Sequence, residues 1–398
     1  MKIVAIDFFC GAGGMTNGLI QAGITVLAGI DNEPQCEQTY RQNKNPDGSS
    51  PEYLCMNIFP KSPTHPNGQQ KEIVEKIESL LINIRKKHKN YKLLFAICAP
   101  CQPFTKITKI EMSDSRKFKR VNDSNLLLTT ANLIRHFRPD AVICENVEGI
   151  ISGDKDSVLG KFKASLKRAK FGFEAKVINA AFFGIPQNRR RTIGIGFDLE
   201  KYKSSFEVAE RDPGVLRKAT VARTIGSLPP LAAGEAHIQI PNHRARSLNE
   251  LNLKRISCAK PGENNLYLKH TCYGDLSLGC HQRLMEKWGT QSFSDTYTRM
   301  RGDDVAPTIT TKCISITNGR FGHYDVNQNR GITPREAALL QTFPKDYVFY
   351  PESNISFAAA LIGNAVPPKL ASFFGRYIME KISSQRKLKH CSTSAPPR

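Results

Sequence analysis

Two cysteines three positions apart, Cys98 and Cys101, are the first residues whose type and spacing indicate chemistry. A Cys-x-x-Cys pair can be a redox dithiol, half of a zinc site, or one nucleophile beside a cysteine that only packs. A thioredoxin-like redox pair opens a helix, but Pro103 disfavours helical geometry at Gln102. A zinc site needs further ligands at short spacing, and no second Cys-x-x-Cys pair follows. The pattern favours Cys101, held by Pro100 at the end of an apolar run, as an exposed nucleophile, with Cys98 as packing.

Glu145 and a basic stretch are the candidate partners of this nucleophile. A free thiol titrates near pH 8.5, so a cysteine nucleophile needs help at neutral pH. Glu145 ends the apolar run "AVICENV", although an acid in this place is more often a helix cap or part of an ion pair. Gln187, Arg189 and Arg191 alternate in "PQNRRRT" and would share one face of a strand, although basic strand ends are commonly just solvated.

A glycine-rich turn, Gly11 to Gly14, follows the first apolar run. Glycines let the backbone approach a ligand closely, and the N-terminus of the next helix offers unpaired N–H groups to a carboxylate or phosphate. Asp31 ends the second apolar run, where an acid usually binds a ribose diol. The alternative is a tight turn without a ligand. No Gly-Lys-Ser/Thr follows, so the turn does not match a P-loop.

The elements that must position these residues alternate between strand and helix over the first half of the chain. Strands are predicted at 2–9, 25–31, 92–98, 140–147, 173–180 and 191–197, and helices at 70–85, 125–137 and 157–170. This alternation predicts an α/β fold with a doubly wound, mostly parallel sheet. Ligands collect at the carboxyl ends of the strands in such a fold, which is where the glycine turn, Cys101 and Glu145 fall.

The regular alternation of strand and helix patterns ends near Asp198, and this change predicts the domain organisation. Residues 1–197 read as a catalytic and cofactor-binding domain, and 198–330 as a smaller, irregular domain rich in Pro, Gly, Asn and His. Residues 331–385 return to helical patterns that complete the first domain, and 386–398 are predicted to be a disordered tail.

Charge and composition limit the partners and the compartment. Lysine and arginine outnumber the acids by 57 to 36, a net charge of +21, which favours a polyanionic partner as much as simple solubility. No apolar run approaches the roughly 20 residues that span a bilayer, and no signal peptide is recognised, so a cytoplasmic protein without membrane contact is expected. Disulfides are not expected for its 11 cysteines in a reducing compartment.

Taken together, six ordered motifs resemble those of the S-adenosylmethionine-dependent DNA cytosine-5 methyltransferases of bacterial restriction-modification systems. They are "DFFCGAGG", "PCQPF", "ENV", "QNRRR", "TPREAALLQTFP" and "GNAVPP". They extend over nearly the whole chain outside its variable region, so the resemblance is specific although each motif alone is weak. It implies an S-adenosylmethionine-dependent methyltransferase fold and methyl transfer to C5 of a cytosine flipped out of a specific duplex DNA sequence.

The resemblance implies a role for each candidate catalytic residue. The thiolate of Cys101 would add to C6 of the cytosine and make C5 nucleophilic. Glu145 would contact N3 and the exocyclic amine of the base, and Arg191 would contact O2. Gln187 and Arg189 would support this site.

The resemblance also implies a pocket for S-adenosylmethionine and no metal. Phe9 would pack on the adenine, and Asp31 would bind the ribose hydroxyls. The family usually has Asp-Ile where this chain has Asn57 and Ile58, so an amide oxygen would accept from the adenine amine. The other predicted cofactor residues are Gly11, Gly13, Gly14, Pro100, Asn364 and Val366.

Double-stranded DNA is the implied partner. Residues 198–330 occupy the place of the family's target recognition domain, and 102–121 resemble the loop that closes over DNA. Arg335 and Glu336 are interpreted as structural. The family commonly acts as a monomer, with a cognate endonuclease that cuts the same site. The residues predicted to contact DNA are Arg116, Lys117, Lys119, Arg120, Arg299, Arg301 and Lys312.

Two alternatives share the fold. Transfer-RNA methyltransferases of this chemistry normally carry Cys-Phe-Thr shortly after Glu-Asn-Val, but here "ENVEGIISGDKD" follows and the recognition region is long. An inactive DNA-binding regulator would usually have lost Cys101, Glu145 or Arg191. Both observations favour a DNA-modifying enzyme.

Overall fold

The computed structural model describes residues 1–100, 114–151, 154–202, 206–279, 283 and 294–391. The chain divides into two compact units. The first contains residues 1–179, 190–212 and those from Val366 onwards, and the second contains 180–189 and 213–365. The division of the sequence into catalytic, recognition and return segments stays a prediction, and its boundaries differ from those of the compact units.

A mostly parallel sheet forms the centre of the first unit. Among the described residues its strands are β1 (Ile3–Phe8), β2 (Thr25–Asp31), β3 (Glu52–Cys55), β4 (Lys92–Ile97), β5 (Ala141–Val147), β6 (Phe171–Asn179) and β7 (Arg190–Asp198). Their order is β3-β2-β1-β4-β5-β7-β6, and β7 runs antiparallel to its neighbours β5 and β6. The predicted α/β class with a doubly wound, mostly parallel sheet is therefore confirmed.

The α-helices of the described residues are α1 (Gly14–Gln21), α2 (Glu37–Tyr40), α3 (Gln70–Lys87), α4 (Asp114–Phe137), α5 (Val158–Arg168), α6 (Val221–Ile225), α7 (Glu250–Ser257), α8 (Pro334–Leu340), α9 (Ile355–Asn364) and α10 (Pro368–Cys391). Helices α1 to α5 and α10 belong to the first unit, which contains the sheet, and α6 to α9 belong to the second. Strand β1 is buried along its whole length, as a near-continuous apolar strand requires when both faces of a parallel sheet are covered.

Helix α1 packs against α10 in the first unit through Gly18. A Cβ atom at Gly18 would lie 2.2 Å from the carbonyl oxygen of Pro368, so only glycine allows this approach. The close contact joins the C-terminal helix to the helix that follows the glycine turn.

The C-terminal region contains two helices where the sequence predicted one continuous helical pattern. The single helical pattern at 356–382 is two helices, α9 and α10, separated at Pro367, and α10 extends to Cys391, beyond the predicted start of the tail. The stretch Ile355–Ser384 is long and apolar enough to cross a membrane, but 72% of its most apolar window is buried inside the protein. Its composition is therefore that of core helices.

The second unit contains a buried ionic cluster at the start of α8. Arg330 donates two hydrogen bonds to the Glu336 carboxylate, at 2.8 and 2.7 Å, and both side chains are 1% exposed or less. Glu336 also forms a capping box with Thr333. Burial alone would raise the pKa of Glu336, but hydrogen bonds from Arg330 and His323 outweigh it and hold this pKa well below its usual range.

We expect Glu336→Gln to destabilise the protein by about 3–5 kcal/mol at neutral pH, because Arg330 would remain buried without its counter-charge. Urea unfolding measures the change. The wild-type contribution is present above the unfolded-state pKa of about 4.3 and is lost as the pH falls through the depressed folded-state pKa, a slope that the variant should lack. Glu250→Gln, which removes an exposed i,i+4 partner of Lys254, is the control and should change little. Equal stability of the two variants would contradict the structural role of Glu336.

Candidate active site

Glu145 and Arg191 form an ion pair in the first unit. They lie on the adjacent antiparallel strands β5 and β7, where Val147 pairs with Arg191 and Glu145 pairs with Ile193. Arg191 Nε is 3.1 Å from Glu145 Oε1, and the two side chains are only 16% and 10% exposed. The contact is close but is not aligned as a hydrogen bond, and within the described residues Glu145 Oε1 has no hydrogen-bond donor. This buried carboxylate oxygen therefore lies against the Arg191 guanidinium with its hydrogen-bonding capacity unused.

The segment that leads to Cys101 is attached to the same strand end. Asn146 Nδ2 donates to the carbonyl oxygen of Ala99 at 3.2 Å, so the residue next to Glu145 holds the chain that follows β4. Pro100 is exposed at the end of this segment. Cys101 itself lies outside the described residues, as does the predicted loop up to residue 113.

Cys98 lies on the same segment and is half-buried. Burial, followed by the carboxyl groups of Asp7 and Glu145, raises the pKa of its thiol well above the ordinary value. A thiol in this environment stays protonated at neutral pH and is a poor nucleophile.

The structure places the other two predicted catalytic residues, Gln187 and Arg189, in the second unit. Gln187 is fully buried, and its Nε2 donates to the carbonyl oxygen of Leu340 and to Gln341 Oε1. Arg189 is 2% exposed and donates to the carbonyl oxygens of Ile309, Gly363 and Ala365. Both side chains stabilise the second unit, and of the predicted catalytic set the structure brings together Glu145 and Arg191.

The glycine turn and Asp31 lie together at the ends of β1 and β2. Asp31 Oδ2 accepts a hydrogen bond from Gly11 N at 2.8 Å, and its Oδ1 accepts from Glu33 N at 3.1 Å. Burial raises the pKa of Asp31, and these backbone hydrogen bonds offset part of the rise. Gly11 has φ +49°, and apart from Gly11 and its two chain neighbours no described residue has an atom within 4 Å of where its Cβ would be. Open space next to a half-buried carboxylate fits a ribose diol.

The backbone around this space is strained at Phe9. Its φ of 61° is uncommon for an aromatic residue. Phe9 N donates to the carbonyl oxygen of Ile30 at 2.7 Å, which fixes the turn against the end of β2. Gly13 is the N-cap of α1 with φ 81°, and Gly14 is the first residue of that helix.

The remaining predicted cofactor residues divide between the units. Asn57 is half-buried, and its side-chain oxygen accepts from Phe59 N at 3.1 Å, which leaves one lone pair for another donor. Ile58 belongs to the core of the first unit. Val366 is buried in the first unit, whereas Asn364 is exposed at the end of α9 in the second.

Sequence reasoning missed Asp7, which is fully buried in β1. Its Oδ2 accepts from the backbone N–H and hydroxyl of Thr16 at 3.1 and 2.7 Å, while its Oδ1 has no hydrogen-bond partner among the described residues. Burial raises the pKa of Asp7 to about 7. Asp7 fixes α1 to β1 below the glycine turn, and the signal for it was an acid within an otherwise apolar strand.

The predicted DNA contacts have different environments. Arg299 is fully buried and donates to carbonyl oxygens that include those of Ala259 and His323, so it stabilises the second unit and offers no surface to DNA. Arg301 is exposed and paired with Asp303, and Lys312 is exposed. Arg116, Lys117, Lys119 and Arg120 lie on α4, and their side chains are outside the described part of the structure.

No group of three or more His, Cys, Asp or Glu residues that could hold a metal ion occurs within the described ranges. The candidate site consists of the paired side chains of β5 and β7 and of the turn after β1.

Comparison with known proteins identifies similar sequences over almost the whole chain. Residues 3–380 match the family model described as C-5 cytosine-specific DNA methylase. The chain is 35% identical to the Type II methylase M.HgiDII of Herpetosiphon aurantiacus, over 95% of this chain and 94% of that protein. It is 27% identical to the Type II methyltransferase M1.HphI of Haemophilus parahaemolyticus, over 96% and 87% of the two chains.

The fold is similar to that of solved structures. One is described as a DNA modification methyltransferase encoded within a prophage of E. coli, with a TM-score of 0.60 and 21% identity over 96% of this chain and all of that one. Another is the methyltransferase EhMeth of Entamoeba histolytica, with a TM-score of 0.59 and 16% identity over 96% and 98% of the chains. At these identities the likeness concerns the fold alone.

Proposed function

The chain belongs to the C-5 cytosine-specific DNA methylase family, and from this premise we propose that it protects bacterial DNA as the modification enzyme of a restriction-modification system. As a DNA cytosine-5 methyltransferase it transfers a methyl group to C5 of cytosine. The proposal adds that the cytosine lies in a specific duplex sequence, that a cognate endonuclease cuts the unmodified sequence, and that a monomer acts in the bacterial cytoplasm. Its similarity to two bacterial Type II methyltransferases supports this role.

S-adenosylmethionine is the methyl donor of this family, and it supplies an electrophilic methyl group on a sulfonium sulfur. The proposed pocket fits it: Asp31 would accept hydrogen bonds from the ribose hydroxyls, and the open space beside Gly11 would admit the ligand. Phe9 and Asn57 would contact the adenine. The proposal requires no metal.

The Glu145–Arg191 pair is the observation that carries the proposed mechanism. Cys101 would form a bond to C6 of the extruded cytosine, and the electron pair of the C5–C6 double bond would move toward C5. Glu145 would hydrogen-bond N3 and the exocyclic amine and favour protonation of the ring, while Arg191 would donate to O2. After methyl transfer, a base removes the C5 proton and Cys101 leaves, which restores the aromatic ring.

Residues beyond this pair would hold the substrate in place. Gln187 and Arg189 would have a supporting role, as the family resemblance implies. The exposed side chains of Arg301 and Lys312, together with the cationic residues predicted on α4, would contact DNA phosphates and so contribute sequence-independent affinity.

Incubation of the purified protein with labelled S-adenosylmethionine and either mixed-sequence duplex DNA or transfer RNA tests this function. Label is expected in DNA, and bisulfite sequencing should place it at one cytosine of a short recurrent sequence. Label in RNA only would mean the transfer-RNA reaction, and label in neither would mean an inactive regulator. Either result would overturn the proposal.

Replacing Asp31 with asparagine should raise the KM for S-adenosylmethionine about 10- to 100-fold, because a charged hydrogen-bond acceptor is worth roughly 1.5–3 kcal/mol. The wild-type KM should also rise as the pH falls toward the raised pKa of Asp31, and the variant should lack this dependence. Steady-state kinetics at several pH values measure both. Glu33→Gln changes an exposed acid close by and is the control. A similar KM in both variants would remove Asp31 from the cofactor site.

A further inference from the structure

Two thiols of the second unit, Cys258 and Cys272, lie in contact and have no role in methyl transfer. Cys258 caps the C-terminus of α7, and Cys272 lies in the turn from Thr271 to Gly274. Their Sγ atoms are 3.8 Å apart, although the residues are 14 positions apart in the sequence. Both are free thiols; Cys258 is half-buried and Cys272 is exposed. A small molecule in solvent can therefore reach the pair.

The protein around the pair holds the two sulfurs close together. Arg255, on the last turn of α7, donates from Nε to the carbonyl oxygen of Leu276 at 3.0 Å. Lys254 lies over the ring of Tyr273, with 5.7 Å between Nζ and the ring centroid. These contacts join α7 to the segment on the far side of Cys272, so the sulfurs meet without a large movement of the backbone.

The two thiols are also joined by a hydrogen bond. A hydrogen bond with Cys258 raises the pKa of Cys272, which slows the reaction of this thiol, so the 3.8 Å contact between the two sulfurs is what favours oxidation. Within the described residues, no third His, Cys, Asp or Glu completes a metal-binding group here. Two thiols with their sulfurs 3.8 Å apart can be oxidised to a disulfide.

We infer that Cys258 and Cys272 are a site of reversible oxidation, at which a peroxide converts the dithiol to a disulfide and locks the loop 259–271 between them. One sulfur is first oxidised to a sulfenic acid as the peroxide O–O bond breaks and one water forms. The second sulfur attacks the first, the S–S bond forms and a second water leaves. The thiols lose two electrons and two protons in total, and the peroxide is reduced to two waters.

The loop closed by this bond contains two lysines and one acid, Glu263. It presents Lys260, Lys269 and His270 to solvent. A disulfide removes conformational freedom from such a loop and leaves its charge unchanged. The modification therefore acts on the stiffness of a segment that exposes two lysines.

Titration of the reduced full-length protein with hydrogen peroxide, followed by non-reducing peptide mass mapping, tests the inference. The peptides of Cys258 and Cys272 should appear linked, with a loss of about 2 Da that dithiothreitol reverses. Amide hydrogen exchange in 259–271 should be slower in the oxidised protein. Cys258→Ser and Cys272→Ser should each abolish the link, whereas Cys55→Ser, which removes an exposed thiol of the first unit, should keep it.

Three results would overturn the inference: links between other cysteines in its place, unchanged exchange in the linked protein, or a bound zinc ion that protects both thiols from peroxide. None of these measurements uses methyl transfer. Their outcome therefore does not depend on whether the proposed function is correct.

Discussion

Serine in place of Cys101 is expected to abolish DNA methylation, with a fall in kcat of roughly 10³-fold or more, since the covalent step has no other nucleophile. A serine hydroxyl has nearly the same size as the thiol but does not ionise at neutral pH. The matched variant is Cys98→Ser, three residues earlier on the same segment, which should keep most of the activity. Initial rates of label transfer to duplex DNA measure both.

The environment of Cys98 explains why the two variants should differ. Its thiol is half-buried, and burial together with the Asp7 and Glu145 carboxyl groups raises its pKa far above neutrality. A thiolate at Cys98 would form next to two acids, which is the opposite of what activates a cysteine. Replacement of this thiol removes packing and no reactive group.

A second readout separates chemistry from folding. DNA with fluorine at C5 of the target cytosine cannot lose a proton from C5 after methyl transfer, so the enzyme should remain bonded to C6. Wild type and Cys98→Ser should give a covalent complex on a denaturing gel, and Cys101→Ser should give none. If both serine variants are equally active, Cys101 is not the nucleophile.

Most strands of the first unit could be predicted because each is a continuous run of apolar residues. Strand β2 begins and ends at its predicted residues, 25 and 31, since a parallel strand buried on both faces must be continuously apolar. Strand β3 was missed, because Glu52–Cys55 has only two buried residues and no periodicity over such a length. Helix α4 begins at Asp114, earlier than its apolar pattern, because "DSRKFKRVNDS" is too polar to show one face.

The sequence predicted which residue types form the candidate site. It did not predict which of these side chains contact each other. Sequence placed Glu145 and Arg191 at strand ends, but only the antiparallel register of β5 and β7 makes them neighbours. Arg299 shows that a positive charge alone does not predict a contact with DNA, because this residue is fully buried. A segment without regular secondary structure has many carbonyl oxygens that accept no hydrogen bond from a helix or sheet. A guanidinium with five N–H donors can donate to several of them inside the protein. A basic residue in such a region can therefore be structural.

Loss of the Glu145 charge is the second change expected to have a large effect. Glu145→Gln should lower kcat about 10²- to 10⁴-fold, the usual range for a group that moves or stabilises a proton in the transition state. The amide is similar in shape, but it cannot neutralise a ring protonated at N3. The KM for S-adenosylmethionine should change little, because the proposed pocket lies at the ends of β1 and β2.

A neighbouring pair supplies the control. Glu148 and Arg190 also join the end of β5 to the start of β7, through two hydrogen bonds of 2.9 and 2.8 Å. Their side chains are 49% and 58% exposed, against 10% and 16% for Glu145 and Arg191. Solvent screens the exposed pair, so Glu148→Gln should leave kcat nearly unchanged although it removes the same chemical group.

The comparison of these two variants distinguishes a chemical role from a structural one. Glu145→Gln leaves Arg191 mostly buried beside a neutral amide, so some loss of stability should accompany the loss of rate, and thermal unfolding measures it. A protein that is fully folded at the assay temperature and still has a greatly reduced kcat places the effect in the reaction. If instead the two variants have the same kcat, the carboxylate of Glu145 only pairs with Arg191, and proton stabilisation at the base must come from another group.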